Sequence, residues 1–212
     1  MKTPALSALL LALSLGVATP AMANDFDTAM SYVSTKNYSQ AFPIFKRLAE
    51  QGDVMAQSGL GWMYDNGYGV KQDYAQAVAW YRKAAEQGNA EAQYNLGVMY
   101  ENGHGVKQDD AQAVAWYRKA AEQGDAGAQN NLGGMYYHGY GVRQSYAEAI
   151  ARYQKAYAQG QAQAAYNIGV RYGNGEGVRQ SLSTAKEWYG RACDLGEQKG
   201  CDAYKELNQR GY

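Results

Sequence analysis

The chain has 212 residues, and its 20 Lys plus Arg balance 20 Asp plus Glu to a formal net charge of zero at pH 7. That balance excludes a nucleic-acid groove and a polybasic membrane patch, both of which need a clear positive excess. Its 25 Gly and 20 Tyr are unusual for a helical protein, but most recur at fixed places in a 36-residue frame, so the composition reflects a repeat.

The first 23 residues read as a secretory signal peptide. Lys2 gives a positive start, Ala5 to Val17 is an apolar run, and Ala21-Met22-Ala23 is a small-x-small cleavage site. The run falls short of the roughly 20 apolar residues needed to span a bilayer. No Cys follows the cleavage site, so a lipid anchor is not indicated. The mature chain is expected to start at Asn24, to be periplasmic or secreted, and to have no stable membrane insertion after cleavage.

Residues 24–52 are expected to form an N-terminal capping hairpin, because they lack the Leu-Gly and Gly-x-Gly-Val segments found later. A short helix is expected over Asp25 to Thr35, with Asn37 and Gln40 capping the next. Pro43, near that helix's first turn, should kink or delay it.

From residue 53 to 195 the 36-residue unit repeats. Residues 73–108 return almost unchanged as 109–144, and the frame persists through 37–72, 145–180 and a shortened 181–212. Gly88 ends one helix in a left-handed turn and Asn89 caps the next, as do Gly52-Asp53 and Gly124-Asp125. Ala92, Leu96, Gly97 and Tyr100 then share one helix face, which predicts the core side. Gly97 costs about 1 kcal/mol relative to Ala inside a helix. Its recurrence as Gly61, Gly133 and Gly169 therefore predicts close approach by a neighbouring helix. Gly103-x-Gly105-Val106 and its three counterparts form a loop with positive φ. They lack the Lys-Ser/Thr and preceding strand of a phosphate cradle. Asp73 with Gln76, Asp109 with Gln112 and Ser145 with Glu148 have the form of capping boxes at the start of the second helix.

The A-x3-L-G-x2-Y-x2-G-x-G-V and A-x3-Y-x2-A-A-x2-G frames resemble Sel1-like repeats, relatives of tetratricopeptide repeats. The resemblance implies an all-α fold, a right-handed α/α solenoid of helical hairpins, with residues 53–195 as the array and 196–212 as a C-terminal capping helix. The segment from Cys193 to Cys201 is similar to the cysteine-rich Sel1-like proteins, in which a C-x7-C pair staples adjacent helices. Export and an even cysteine count agree with that pairing.

No catalytic residue, metal ligand set or cofactor site emerges from the sequence. His104 and His138 are the only histidines, and neither has a second ligand at metal-like spacing. The family resemblance brings one enzymatic alternative, a penicillin-binding or β-lactam-hydrolysing protein. It would use Ser183 and Lys186 in a Ser-x-x-Lys arrangement, although the supporting Ser-Asp-Asn and Lys-Thr-Gly elements are missing.

Comparing the chain with itself points elsewhere. The units 73–108 and 109–144 differ at nine of 36 places. The tetratricopeptide geometry implied by the resemblance puts positions 91, 94, 98, 101 and 102 on the concave face, and all five differ. Random placement would hit all five in fewer than about one in a thousand cases. The outward positions Arg82, Lys83, Glu86 and Gln87 are repeated unchanged. A partner-binding groove is therefore expected from Met55, Ser58, Trp62, Asp65 and Asn66; from Glu91, Tyr94, Val98, Glu101 and Asn102; from Asn130, Tyr137 and His138; and from Gln163, Tyr166, Val170 and Asn174. Asn66, Asn102 and Asn174 can equally serve the helix ends they precede. Aromatic anchors with scattered acids suit a protein segment, so the expectation is a monomeric scaffold that binds a protein and no nucleic acid. Trp62, Tyr94 and Tyr166 could alternatively serve as sugar platforms.

Overall fold

The computed structural model describes residues 20–212, with side chains from Asp25 onward. Among the described residues every regular element is an α-helix. There are eleven: α1 (Pro20–Ser34), α2 (Tyr38–Glu50), α3 (Val54–Asn66), α4 (Tyr74–Glu86), α5 (Ala90–Asn102), α6 (Asp110–Glu122), α7 (Ala126–His138), α8 (Tyr146–Tyr157), α9 (Ala162–Asn174), α10 (Leu182–Asp194) and α11 (Gln198–Gln209). The leader expected over residues 1–23 lies, through residue 19, outside the described residues. Its last positions fall in α1, which starts before the expected Asp25. The chain divides into two compact units: residues up to Met99 with Gly103–Lys107, and Tyr100–Asn102 with Gln108–Tyr212.

In the first unit, Phe45, Leu48, Leu60 and Met63 fill a core closed by Ala29, Ala41, Ala49 and Ala56. Small residues let the helices approach, and aromatic rings seal the margins. Phe26 meets Phe45 edge-on at 5.7 Å, and Tyr38 stacks on Tyr68 at 4.2 Å. Two expectations for this hairpin need correction. Asn37 makes no side-chain cap, and α2 is not delayed by Pro43 but runs from Tyr38 straight through it. The proline ring is exposed, so the carbonyl of Ser39, which loses its helical partner, can be solvated.

The turns that join one hairpin to the next follow the sequence closely. Gly52 and Gly88 have φ of 95° and 93°. The side chains of Asp53 and Asn89 then accept from the backbone N–H of Ala56 and Ala92, each at 2.7 Å. In the second unit Asp125 caps α7 in the same way, whereas Gln161 gives α9 no side-chain cap. At the starts of α4, α6 and α8 the residues Asp73, Asp109 and Ser145 accept from the N–H three positions on.

The helix-interior glycines accommodate a specific side chain. A Cβ on Gly61 would lie 2.6 Å from the ring of Tyr81, and one on Gly133 2.7 Å from the ring of Tyr153. The neighbouring helix approaches through a tyrosine laid flat on the glycine, and each such ring is almost wholly buried. Burial raises the Tyr153 and Tyr189 hydroxyls to about 12. A raised acid contributes stability that is complete below the unfolded value near 10 and is lost as pH climbs through the folded value. Stability is therefore expected to hold to about pH 10 and to fall between about pH 10 and 12. Thermal midpoints across that range, with Tyr153→Phe reducing the slope, check this.

Cys193 and Cys201 form a disulfide joining the end of α10 to the start of α11, with Cα atoms 4.5 Å apart. Closing so short a loop contributes about 2.5 kcal/mol in the chain-entropy account. Reduction, or Cys193→Ser with Cys201→Ser, is expected to lower the thermal midpoint by several degrees, measured by circular dichroism with and without dithiothreitol.

Candidate protein-binding face

The first helix of each hairpin carries the varied positions. In both nearly identical repeats all five are at least partly exposed, as a binding face requires. Ser58 departs from this pattern. It occupies the column of Tyr94 and Asn130 but is only 3% exposed, and so offers a partner almost nothing.

In the first unit Met55, Trp62 and Glu91 come together around an apolar cavity of about 280 Å³. Phe26, Met30 and Val33 of α1 complete it. Sequence comparison missed these three because α1 has no counterpart in the frame. Their spacing at i, i+4 and i+7 was the available signal, since it places them on one helix face. Met30 and Met55 are 46% and 52% exposed at the rim, soft side chains able to repack around a ligand. Nearby, Tyr81 donates to Asp65 at 3.5 Å. Burial lifts the Asp65 carboxyl above its ordinary value, and His104 and the Tyr81 hydroxyl partly offset this. Asn66 is tied back to the carbonyl of Trp62 at 2.9 Å, so its amide serves the end of α3.

In the second unit Glu101, Asn130 and His138 line a polar cavity of about 260 Å³, together with Asn131, Tyr140 and Asn167. The Tyr117 hydroxyl donates to Glu101 at 2.5 Å. Gln163 contributes by donating to Asn167 at 3.2 Å. Asn174 belongs to a separate cavity of about 360 Å³ with Tyr189 and Arg210. Tyr166 leans on the ring of Tyr189 at 5.5 Å. Tyr94, Val98 and Val170 are half-buried on the same helix faces, and Asn102 is exposed.

Helical hairpins at a 36-residue period, with a left-handed glycine at the end of each first helix and a tyrosine seated on a glycine, repeat in one pattern across both units. The profile of the Sel1 repeat family matches residues 31–53, 54–89, 90–125, 126–161 and 162–197. The chain belongs to the Sel1 repeat family. A protective antigen of uropathogenic Escherichia coli with an SLR fold is similar at 39% identity and a TM-score of 0.85. The similarity covers 90% of this chain but only 42% of the antigen. A Sel1 repeat protein from Oxalobacter formigenes is 33% identical with a TM-score of 0.78, covering 88% of this chain and 83% of its own. An immunity protein of Pseudomonas aeruginosa shares the fold at 23% identity and a TM-score of 0.57, covering 86% of this chain and 69% of its own. No curated protein sequence matches the chain.

The Sel1 frame exposes a substitution that sequence comparison overlooked. Met63, Met99 and Met135 are buried core residues in one column, and Arg171 takes that place in the last matched repeat. Its guanidinium pairs with Glu176 at 2.8 Å and lies 3.5 Å from the centre of the Tyr137 ring. Tyr137, expected as a groove anchor, is thus a platform for this cation. It also donates to Glu176 at 3.3 Å. Glu176 stands where the other Sel1 loops carry Tyr68, His104 and Tyr140, so acid and base both depart from the frame in the same repeat.

Several of the outward positions that repeat unchanged make contacts of their own. Lys83 and Lys119 lie over the rings of Trp80 and Trp116, 3.7 and 4.0 Å from their centres. Gln87 donates to Gln57, and Arg118 to Tyr136. Both residues of the Ser-x-x-Lys pair of the enzymatic alternative lie on α10, each with other partners. Lys186 donates to Asn208 and to the Tyr212 carbonyl, while Ser183 pairs with Ser181.

Proposed function

We propose that this Sel1 repeat protein is an exported, non-catalytic scaffold that binds a protein partner through the first-helix faces of its hairpins. The concave groove expected of the family would be its recognition surface, and an adaptor, regulator or immunity-type protein its role. The observation carrying this reading is the clustering of repeat-varied residues at cavities: Met55, Trp62 and Glu91 in the first unit, Glu101, Asn130 and His138 in the second. Where the frame is free to vary it has placed aromatic, thioether and acidic groups, the inventory of a protein interface rather than a reaction centre. Export is supported by the leader-like residues 1–23, which would leave Asn24 as the mature start, and by the disulfide. Among the described residues no helix is long and apolar enough to cross a membrane.

The test is affinity capture from a cell-envelope extract, with a variant carrying Trp62→Ala, Tyr94→Ala and Glu101→Arg run beside the wild type at matched helicity. A protein held by the wild type and lost by the variant supports the reading. Equal capture by both would remove these faces from the account. Mass measurement of the periplasmic form should give a chain starting at Asn24. A retained leader would contradict export by cleavage.

A further inference from the structure

The polar cavity of the second unit contains a hydrogen-bond chain with one direction. Gln163 donates to Asn167 at 3.2 Å, Asn167 to Asn130 at 3.2 Å, Asn130 to Asn131 at 3.4 Å, and Asn131 to the Tyr117 oxygen at 3.2 Å. Tyr117 in turn donates to Glu101. The carboxylate sets the direction. It can only accept, so Tyr117 must donate, and its oxygen must then accept from Asn131; every amide behind it is oriented in turn. Links of this kind polarise one another, and the accumulated dipole points its positive side toward Glu101.

Two departures from the repeat frame create this arrangement. Asn131 and Asn167 occupy a column that also holds Asn95, so they belong to the frame. Asn130 does not, because its column holds Ser58, Tyr94 and Tyr166, and it alone connects the two frame amides. The second departure is Gly134, where the column otherwise holds Trp62, Val98 and Val170. A Cβ there would meet only the Tyr153 hydroxyl, at 3.9 Å, so the missing side chain leaves open space. One substitution closes the chain and the other clears the cavity beside it.

Each of Asn130, Asn131 and Asn167 uses one N–H and one carbonyl lone pair in the chain. Each therefore keeps one donor and one acceptor for a ligand. A row of spare amide donors and acceptors matches a backbone whose own N–H and C=O groups are unpaired, which an extended segment has and a helix does not. Glu101 is the only carboxylate lining the cavity, and no Lys or Arg lines it. The complementary group is a cation.

We infer that the second unit binds an extended peptide segment, its backbone on the Asn130, Asn131 and Asn167 amides and one Lys or Arg side chain on Glu101. This inference rests on the protein-binding reading and specifies its ligand. A random dodecapeptide library displayed on phage and selected on the purified protein tests it. Selected peptides are expected to share a Lys or Arg without helical periodicity. Synthetic versions should bind Glu101→Gln, and Asn130→Tyr as in the preceding repeat, about tenfold or more weakly, the worth of one charge-assisted hydrogen bond. Glu101→Gln keeps an acceptor for Tyr117, so its fold should persist, as circular dichroism would verify. Peptides selected with no basic residue and bound equally by Glu101→Gln would overturn the inference and leave the protein-binding reading standing. Selection of no peptide would count against both.

Discussion

Replacing Glu176 by Ala is expected to destabilise the second unit by about 3 kcal/mol, near the low end for orphaning a buried charge. Arg171 keeps only 8% of its side-chain surface, so without Glu176 its guanidinium would face the Tyr137 ring and a core built for methionine. Glu176 itself is 24% exposed, which moderates the loss because water can partly replace it. The companion variant has the opposite sign. Arg171→Met restores the residue seen at Met63, Met99 and Met135, removes a desolvated cation, and is expected to be neutral or stabilising. Urea denaturation of the two single variants and the double variant checks both, since Glu176→Ala should cost little once Arg171 is Met. A large cost in that background would mean that Glu176 acts through some other contact.

Gly141→Ala is expected to cost about 3 kcal/mol or more. The residue has φ of 63°, and a Cβ would lie 2.3 Å from the carbonyl oxygen of Asp110. Left-handed backbone costs a non-glycine residue roughly 1–2 kcal/mol. The clash adds to this because the obstacle is backbone, at the start of α6, and cannot rotate away. The same geometry recurs at Gly69 against Tyr38 and at Gly105 against Tyr74. The second glycine of each Gly-x-Gly-Val loop is thus a packing requirement between neighbouring hairpins as well as a turn requirement. Thermal midpoints should fall further in this variant than in Gly88→Ala, which carries only the left-handed strain of φ 93° because its Cβ would meet nothing within 4 Å. A Gly141→Ala midpoint no lower than that of Gly88→Ala would remove the packing argument.

These two cases show what the sequence could and could not convey. The hairpins, their caps and their glycine turns were legible because each depends on local chemistry repeated at one period: Asp53 and Asn89 cap helices wherever they follow a left-handed glycine. The role of the interior glycines was legible as close approach, but the approaching group, a tyrosine such as Tyr81, is 20 residues away and emerges only from packing. Arg171 was visible as an arginine in a methionine column. Its burial sets it apart from the at least partly exposed positions at which repeats 73–108 and 109–144 differ, so a comparison of those repeats does not mark it. Pro43 misled in the other direction, since a rule about proline in helices ignores whether the freed carbonyl reaches water. Among the groove positions the sequence marked Asn130, but not that it connects Asn131 to Asn167, because a hydrogen-bond chain across four helices has no sequence period. Lys83 and Lys119, unchanged between the two repeats, lie over Trp80 and Trp116, contacts that the sequence alone does not show.

The protein-binding account depends on which face the partner touches. The most direct measurement is calorimetric titration of the captured partner against the wild type, a first-helix variant (Trp62→Ala with Glu101→Arg) and a second-helix variant (Glu86→Ala with Glu122→Ala). The account predicts a loss of about tenfold or more in the first variant, as expected for truncating an aromatic anchor and reversing a charge, and no change in the second. Unchanged affinity in the first-helix variant with loss in the second would place recognition on the opposite side and contradict it.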